Sequence, residues 1–367
     1  MNTLHIDKPV SETRVLVAMS GGVDSSAAAA LLKDEGYDVV GATLQLRGDD
    51  VSDEDQPSCR SESEIADAKT VAGILDMPHH VVDLKERFQA TIMEDFADAY
   101  VQGETPVPCV ACNRDIKFGG LWDYAKTIGA DALVTGHYVR WAMGEEGAEL
   151  RRGADPVRDQ TYFLFALSKG QLANVRFPLG DMSKDDVRAL AARFDLPVAD
   201  KPASQDICFV RGGTYAGVVE AMRPGAFDAG DIVDVQGNVL GRHTGIINYT
   251  VGQRRRLGIA APEPHYVLSL DPIGHRVIVG PKDALLQQTV KIREVNWLGR
   301  GDMPQEGVRA NVKLRSTMPL AHALVRPDGQ GGADVTLDKP FHGAAPGQAC
   351  VMYDDDRLLG GGWITRS

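Results

Sequence analysis

Apolar and polar residues follow two different patterns along the chain, and the change between them falls near residue 213. Before it, short apolar runs typical of buried strands alternate with stretches in which apolar residues recur every three or four positions, as on one face of a helix. The first run, Arg14–Met19, leads through a glycine-rich turn into a helix predicted over Asp24–Glu35 and ending at Gly36. This alternation predicts an α/β fold with a doubly wound parallel sheet. The other predicted strands are 38–46, 79–84 and 132–135, and the other predicted helices are 61–75, 88–101, 118–128 and 183–194.

Beyond residue 213, apolar and polar residues alternate singly, and turn-forming residues recur about every eight to twelve positions. That pattern predicts an all-β region with a small barrel. Tyr266–Leu270 and Arg276–Val279, joined through Asp271–Gly274, read as one of its hairpins. We therefore predict three domains: an α/β domain over 1–213, a small central domain over 214–287 and a C-terminal β-barrel over 288–367.

Composition narrows the class of protein. The chain has 367 residues, 43% hydrophobic and 25% charged, as expected of a globular protein. No apolar run approaches the roughly 18–20 residues of a membrane span, and the N-terminus has no secretory pattern, so a cytoplasmic protein without a membrane segment is expected. The net charge of −12 argues against a generic nucleic-acid binder, and five cysteines are too few for a disulfide framework.

The segment Ser20–Ser26, Ser-Gly-Gly-Val-Asp-Ser-Ser, lies between the first strand and the first helix. Gly21 and Gly22 permit a tight turn whose N–H groups converge on one anion, and the helix N-terminus adds partial positive charge. Ser25 and Ser26 add hydroxyl donors. The Gly-Lys-Ser/Thr of a Walker loop is absent, which disfavours γ-phosphate transfer. The segment resembles the PP-loop of ATP pyrophosphatases, which cleave ATP between the α and β phosphates; alone, it leaves asparagine, argininosuccinate, GMP and NAD synthetases open.

Cys109 and Cys112 form a C-x-x-C pair in a proline-rich loop just before a predicted helix. An ordinary thiol is only ~3% thiolate at neutral pH, and the basic residues that follow this pair would raise that fraction. One such pair is weak support for structural zinc, which normally takes four protein ligands. Cys208 lies in a similar polar loop, whereas Cys59 and Cys350 are expected to take no part in chemistry.

Further strings occur in a fixed order between residues 14 and 348. They are Thr-Pro-x-Pro-x-x-x-Cys-Asn at 105–113, Thr-Gly-His-Tyr at 135–138, Asp-Gln-Thr-Tyr-Phe-Leu at 159–164, Gln-Asp-Ile-Cys-Phe at 205–209, Gly-Gln-Arg-Arg-Arg-Leu-Gly at 252–258 and Ala-Pro-Gly-Gln at 345–348. With the PP-loop they resemble the bacterial tRNA-specific 2-thiouridylase (MnmA/TrmU) family, over essentially the whole chain. The resemblance implies ATP-dependent 2-thiolation of the tRNA wobble uridine: the 2-carbonyl is adenylated, sulfur from a cysteine persulfide replaces it, and AMP and pyrophosphate leave.

The resemblance also implies residue roles. Cys112 matches the nucleophile and Cys208 the persulfide carrier, and the two would finish as a transient disulfide. The ATP-binding set is Ala18, Met19, Ser20, Gly21, Gly22, Val23, Asp24, Ser25, Ser26, Leu44 and Gly136. The tRNA-binding set is Val107, Pro108, Cys109, His137, Arg158, Asp159, Gln160, Arg315, Ser316 and Gln348. Some relatives carry an aspartate at the position of Cys109, so a general acid/base role is not carried over to it.

ATP and Mg²⁺ are the implied cofactors, with Asp24 either positioning Mg²⁺ or serving only as a helix cap. The implied partners are a tRNA with a wobble uridine and a persulfide donor or relay protein, and recognition would rest on local basic patches and tRNA shape. Two alternatives stay open. A PP-loop ligase acting on a small molecule would leave the paired cysteine elements unexplained. A non-catalytic RNA-binding protein would hold an iron–sulfur cluster at Cys109, Cys112 and Cys208, and such a cluster is also compatible with the enzyme.

Overall fold

The structure, a computed structural model, describes residues 1–46, 62–202, 207–210, 214–225, 228–260 and 263–366. The acidic segment 48–61, with Cys59, lies outside these residues, so the expectation for that cysteine is not addressed. The chain divides into two compact units. The first comprises 1–91, 109–212 and 356–358, and the second comprises 92–108, 213–355 and 359–367.

The first unit is built on a parallel sheet. The strands along this part of the chain are β1 (Arg14–Ala18), β2 (Asp38–Gln45), β3 (His79–Asp83), β4 (Ala132–Val134), β5 (Val139–Gly144), β6 (Gly147–Arg152) and β7 (Val175–Arg176). Five of them form the sheet in the order β3-β2-β1-β4-β7, all parallel. Val15, Leu16 and Val17 of the central strand are fully buried, as expected for a strand covered on both faces. The predicted doubly wound α/β sheet is confirmed.

The helices along the same part of the chain are α1 (Val23–Asp34), α2 (Glu62–Ile74), α3 (Lys85–Phe88), α4 (Glu94–Val101), α5 (Pro108–Ala111), α6 (Leu121–Thr127), α7 (Lys169–Asn174) and α8 (Lys184–Arg193). They include those predicted at 24–35, 61–75 and 183–194 and two, α5 and α7, that were not predicted. Helix α4 belongs to the second unit. Gly36, just beyond α1, has φ +91°, the left-handed conformation predicted for the helix stop. Helix α8 begins at a capping box in which Ser183 Oγ accepts from the Asp186 N–H and the Asp186 carboxylate accepts from the Ser183 N–H.

The segment that carries the C-x-x-C pair is helical, so its placement in a loop before a helix at 118–128 is wrong. The chain is helical without interruption from α5 through a π-helical segment, Cys112–Gly120, into α6. Pro108 occupies the first position, where its missing N–H removes no helical hydrogen bond. The helix predicted at 88–101 likewise begins earlier, at Lys85, and contains a π-helical turn, Gln89–Met93.

The second unit is mainly β-structure, as predicted. After helix α9 (Tyr215–Met222), its strands are β8 (Gly230–Val233), β9 (Val239–His243), β10 (Tyr266–Asp271), β11 (Arg276–Gly280), β12 (Leu286–Trp297), β13 (Val308–Lys313), β14 (Ala321–Pro327), β15 (Ala333–His342), β16 (Ala349–Asp354) and β17 (Arg357–Ile364). The central sheet has the order β10-β11-β8-β9 and contains the predicted hairpin. The last six strands form a barrel in the order β12-β15-β14-β13-β16-β17, closed by pairing of β12 with β17.

The barrel encloses its own apolar core, in which Val312, Val325, Val335, Cys350 and Met352 are fully buried. In the part of the chain that the structure describes, none of the helices is both long and apolar enough to traverse a lipid bilayer.

Candidate active site

The loop between β1 and α1 is braced by its own hydroxyl groups. Ser25 Oγ accepts from the Ser20 N–H (3.1 Å) and donates to the Gly22 carbonyl (3.2 Å), and Ser26 Oγ donates to the same carbonyl (2.9 Å). Gly21 adopts φ +68°, and a Cβ at this position would meet the Glu64 carbonyl oxygen at 2.3 Å. The loop therefore requires glycine here, and the two serines predicted as anion donors serve to fix its shape in this structure.

The N-terminus of α1 opens onto this loop without a side-chain cap from the described residues, because Gly22 is its N-cap. The first backbone N–H groups of α1 are therefore available to an anion, as predicted. A cation stands beside the loop as well. Lys201 Nζ donates to the Gly21 carbonyl (3.0 Å) and to Asp67 Oδ2 (2.7 Å).

Asp24, in the first turn of α1, receives two hydrogen bonds on one oxygen. Its Oδ1 accepts from the Tyr138 hydroxyl and from Lys184 Nζ, both at 2.6 Å. The Lys184 side chain is 8% exposed and that of Asp24 32%. Burial, and then the Asp24 carboxylate, raise the pKa of Tyr138, so the phenol remains a donor. Within the described residues, Asp24 Oδ2 accepts no hydrogen bond, which argues against a mere helix cap.

Neither Tyr138 nor Lys184 was assigned a role from the sequence. Tyr138 belongs to the Thr-Gly-His-Tyr string, and Lys184 directly follows the capping serine of α8, so its place at the start of that helix was readable. Its approach to Asp24, 160 positions away, was not.

The predicted adenosine contacts lie at strand ends. A Cβ at Gly136 would meet the Asp24 carbonyl carbon and the Ser25 nitrogen, both at 2.7 Å, so the chain after β4 touches the first turn of α1. Leu44 and Met19 are completely buried, and Ala18 is 8% exposed. These three residues can therefore offer a ligand little more than their backbone.

His137 lies in an aromatic environment. Its Nδ1 is 2.6 Å from Thr135 Oγ1, and its ring packs against Phe118 and Phe177, with centroids 5.9 and 6.0 Å away. Burial, and then the charge of Lys117, lower the pKa of His137 well below its ordinary value, so the imidazole is neutral at pH 7. A neutral, enclosed ring is what a structural histidine requires, and the tRNA-facing role stays a prediction.

Both members of the C-x-x-C pair are thiols. Cys112, at 9% exposure, begins the π-helical segment, and the carbonyls of Arg114 and Phe118 in that segment accept from Gln171 Nε2 (2.7 and 3.1 Å). Burial raises the pKa of the Cys109 thiol; the Lys117 charge lowers it and the Cys112 charge raises it again. Because Cys112 is a free thiol, the disulfide predicted between Cys112 and Cys208 is not formed in this structure.

Cys208 occupies a short turn, closed by a hydrogen bond from the Val210 N–H to the Ile207 carbonyl (3.0 Å). The adjacent Phe209 is buried edge-on against Phe88, with ring centroids 5.8 Å apart. This aromatic contact anchors the turn on the first unit.

Within the described ranges, which include Cys109, Cys112 and Cys208, no three His, Cys, Asp or Glu side chains converge as metal ligands. The iron–sulfur cluster that the sequence left open is not supported by this arrangement and stays a prediction.

Of the predicted tRNA-binding trio at 158–160, two side chains are committed to the protein. The Asp159 carboxylate is completely buried and accepts from Arg152 Nε (3.1 Å) and Thr161 Oγ1 (2.8 Å). Gln160 Oε1 accepts from the Tyr138 N–H (2.9 Å), next to the Asp24 cluster. Only the Arg158 side chain is exposed.

In the second unit, Gln348 is bound to a neighbouring segment. Its Nε2 donates to the Thr105 carbonyl (2.9 Å), and the Thr105 N–H donates to the Pro346 carbonyl (2.7 Å). The Ala-Pro-Gly-Gln and Thr-Pro-x-Pro strings are thus joined. Of the predicted tRNA contacts that follow Thr105, Val107 is partly exposed and Pro108 is buried.

The remaining predicted tRNA contacts lie on the barrel. Arg315 is exposed, its guanidinium lies 4.9 Å from the Phe341 ring centroid, and it donates to the His342 carbonyl (3.1 Å). Ser316 is partly exposed beside it. These two residues are placed where a phosphate could reach them.

A parallel sheet with a glycine loop after its central strand, leading into a helix that no described side chain caps, is the arrangement of an α/β domain of the HUP class. Family descriptions match three stretches of the chain: "tRNA methyl transferase HUP domain" at 13–212, "tRNA methyl transferase PRC-barrel domain" at 222–281 and "Aminomethyltransferase beta-barrel domain" at 287–364. The tRNA-specific 2-thiouridylase MnmA of Rhodospirillum centenum is 53% identical over 375 residues, covering 100% of this chain and 95% of that protein. The chain belongs to the tRNA-specific 2-thiouridylase family, which confirms the resemblance.

A second relative, the tRNA-specific 2-thiouridylase MnmA of Paramagnetospirillum magneticum, is 53% identical over 373 residues, covering 100% of this chain and 99% of that protein. Among solved structures, an NMN synthetase from Francisella tularensis covers 58% of this chain and is itself covered to 77%, with 19% identity and a TM-score of 0.36. That structural likeness is too weak to add to the assignment.

Proposed function

We propose that this protein catalyses ATP-dependent 2-thiolation of the wobble uridine of tRNA. The observation that carries the proposal is Asp24, held by Tyr138 and Lys184, with a second oxygen that accepts no hydrogen bond from the described residues. It lies at a PP-loop-like segment in a chain 53% identical to curated tRNA-specific 2-thiouridylases over its full length. The names of those relatives supply the substrate. The loop before α1 and the N-terminus of that helix are suited to the phosphates of ATP.

ATP is needed because the 2-carbonyl oxygen of uridine is a poor leaving group. Attack of this oxygen on the α-phosphorus makes a phosphate ester and expels pyrophosphate. The first N–H groups of α1 would stabilise the negative charge of the departing pyrophosphate. Lys184, bonded to Asp24, and Lys201, bonded to the Gly21 carbonyl, add positive charge near the loop.

Mg²⁺ suits the open side of Asp24. This cation typically binds through one or two carboxylates, phosphate oxygens and water, so a single unengaged carboxylate oxygen at an anion loop is a fitting donor. When bound, Mg²⁺ would neutralise charge on the phosphates. Tyr138 and Lys184 would keep the carboxylate turned toward it.

Sulfur transfer would use Cys208 and Cys112 in turn. The terminal sulfur of a Cys208 persulfide attacks C2, and AMP leaves with the former carbonyl oxygen. The Cys112 thiolate then attacks Cys208 Sγ, which breaks the sulfur–sulfur bond, leaves the 2-thio group on the base and forms the Cys112–Cys208 disulfide. A persulfide donor or relay protein would reload Cys208.

Substrate binding would combine local contacts with displacement of the base. Arg158 and Arg315 are the exposed cations of the predicted set, suited to phosphates. The wobble base must leave its stack to reach a thiol. We assign catalysis to 1–213 and tRNA contacts to the central domain, 214–287, together with Arg158 of the first domain and Arg315 of the barrel, 288–367.

The test is incubation of the protein with unmodified tRNA, ATP, Mg²⁺ and a persulfide donor, followed by nucleoside analysis for 2-thiouridine. Cys112→Ser and Cys208→Ser should each abolish the product. Cys350→Ala, which alters a thiol in the barrel core, is the matched control and should retain it. Thiolation by the Cys112→Ser variant would overturn the mechanism.

A further inference from the structure

Cys109 has no role in the reaction described so far, although it lies beside the proposed nucleophile. The two cysteines are three residues apart in the helical run that starts at Pro108. Residues with this spacing share one side of a helix, with Cβ atoms about 5–6 Å apart. Disulfide-bonded cysteines typically have Cβ atoms about 3.5–4.5 Å apart. A bond between Cys109 and Cys112 would therefore need their Cβ atoms to approach by about 1–2 Å within the first turn of this helical run.

The charges of Lys117 and Cys112 act on the Cys109 thiol in opposite directions, which favours Cys109 reacting after Cys112. Burial and the negative charge of Cys112 both raise the pKa of Cys109, whereas the Lys117 charge lowers it. The raised pKa keeps Cys109 in the thiol form, in which it does not compete with Cys112 as a nucleophile. When Cys112 enters a disulfide its charge disappears and that of Lys117 remains, so Cys109 ionises more readily at that moment.

We propose that Cys109 is the resolving thiol of the reaction. Its thiolate attacks Sγ of Cys112 in the Cys112–Cys208 disulfide, forms a Cys109–Cys112 disulfide and releases Cys208 as a thiolate. One sulfur–sulfur bond breaks and one forms, and one thiolate is consumed and one released, so the step needs no oxidant or reductant.

This inference rests on the proposed function, because the Cys112–Cys208 disulfide is the species on which Cys109 acts. Its consequence is that Cys208 regains a thiolate, able to accept sulfur again, before any external reductant acts. A reducing dithiol then opens the Cys109–Cys112 bond to restore the nucleophile.

Cys350 differs from Cys109 in exposure and in its surroundings, because Cys109 is partly exposed and feels the charge of Lys117, whereas burial is what shifts the pKa of Cys350. It is completely buried in the barrel core, and burial raises its pKa to about 12. A thiol in that state is inert toward exchange. Cys350→Ala is therefore the matched control for loss of a cysteine that does not exchange.

The first experiment is a single turnover without reductant. Full-length protein carrying a persulfide is mixed with ATP, Mg²⁺ and unmodified tRNA, quenched with an alkylating reagent and digested with trypsin. Cys109 and Cys112 fall on one peptide, 88–114, and Cys208 on another, 194–211, so the two disulfides are distinguished by mass. Wild type and Cys350→Ala should end with an internal bond in peptide 88–114 and alkylated Cys208.

The Cys109→Ser variant, at a position also predicted to contact tRNA, should end its first turnover with the two peptides joined. The joined fraction is scored per mole of 2-thiouridine made, so that weaker tRNA binding does not change the readout. On a second addition of persulfide without reductant, only wild type and Cys350→Ala should regain a persulfide on Cys208. Cys109→Ala, which cannot donate a hydrogen bond, should behave as Cys109→Ser does. Joined peptides as the final state of wild type would overturn the proposal, whereas absence of 2-thiouridine from every variant would overturn the proposed function instead.

A second experiment needs no turnover. Reduced protein is equilibrated in a series of dithiol–disulfide buffers, and each cysteine is scored by alkylation. The Cys109–Cys112 bond should form at a more reducing poise than any bond between the two peptides. Cys109 remaining fully alkylated across the series would rule out its resolving role, whatever the enzyme assay shows.

Discussion

Asp24 in the first unit and Glu104 in the second are both held by cations, yet their hydrogen bonds differ. Asp24 receives two donors on Oδ1, and its other oxygen is open within the described residues. Both oxygens of Glu104 are taken by the guanidinium of Arg293, at 3.1 and 3.2 Å. Glu104 is also the more enclosed, with a side chain 14% exposed against 32% for Asp24. Among the described residues, the number of hydrogen-bonded oxygens, and not burial, distinguishes Asp24, the carboxylate that we propose for the reaction, from Glu104.

The strongest test of this comparison is Asp24→Asn. The amide keeps an oxygen for Tyr138 and Lys184 but loses the charge, so the rate of thiolation should fall about 10²–10³-fold. Glu104→Gln is the matched change in the second unit. It should leave the rate within about threefold while lowering the free energy of unfolding by about 1–3 kcal/mol, since Arg293 loses its charged partner. Assays of 2-thiouridine formation and urea unfolding measure both, and equal losses of rate would show that the distinction is false.

The next largest effect is expected for Lys184→Met, which keeps the buried stem and removes the ammonium. The free energy of unfolding should fall by about 1–3 kcal/mol, and ATP should bind about tenfold more weakly because the loop loses a cation. Arg193→Met removes the other α8-to-α1 ion pair, with Asp34, whose side chains are 61% and 44% exposed. That control should cost no more than about 0.5 kcal/mol and leave ATP binding unchanged. Similar losses in both variants would mean that Lys184 only joins the helices.

Two glycines permit a smaller contrast between the units. Gly136→Ala would press a methyl group on the backbone of Asp24 and Ser25, and Gly347→Ala would meet Glu104 Cβ and Thr105 N, both at 2.9 Å. Each should lower the free energy of unfolding by about 1–3 kcal/mol. Only the first should weaken binding of a non-hydrolysable ATP analogue in calorimetry. Gly73→Ala, in helix α2 with no atom within 4 Å of the added carbon, should raise the free energy of unfolding by about 0.5–1 kcal/mol and leave binding of the analogue unchanged.

The smallest expected effect concerns pH. Burial depresses the pKa of His137 in the first unit and of His243 in the second, so each folded histidine binds a proton less readily than its unfolded form. Their contribution to stability is complete above the unfolded pKa of about 6.5 and is lost as the pH falls through the folded value. His137→Phe should flatten the decline of unfolding free energy below that pH, and the exposed His322→Gln should not. An unchanged decline in the His137→Phe variant would show that this imidazole is not held neutral by the fold.

Much of the fold followed from local signals in the sequence. Strand β1 and helix α1 were predictable because a short apolar run, two loop glycines and the stop at Gly36 act within a few residues of one another. The start of the cysteine helix was not. A proline-rich approach reads as a loop, but Pro108 occupies a tolerated first helical position, and a π-helical segment then joins it to α6.

The sequence predicted which residues belong to the candidate site better than it predicted their hydrogen-bond partners. The strings nominated Asp24 and Gln160, but their partners come from Lys184 and Tyr138, brought near only by the folded chain. Asp159 shows the converse, because a charge expected to face tRNA is enclosed by Arg152. Short sequence motifs indicate which residues take part in the chemistry. Their hydrogen-bond partners are distant in sequence and depend on tertiary packing.

The π-helical segment Cys112–Gly120 has a consequence for how the gene can vary in length. A π turn holds one residue more than an α turn, because its hydrogen bonds span five positions and not four. Loss of one codon within this stretch could be absorbed by a return to α-helical pairing, leaving α6 in register. The same loss inside α1 would rotate every later residue of that helix by about 100°. Single-residue length differences among natural relatives are therefore expected to be tolerated beside the cysteines and excluded from α1.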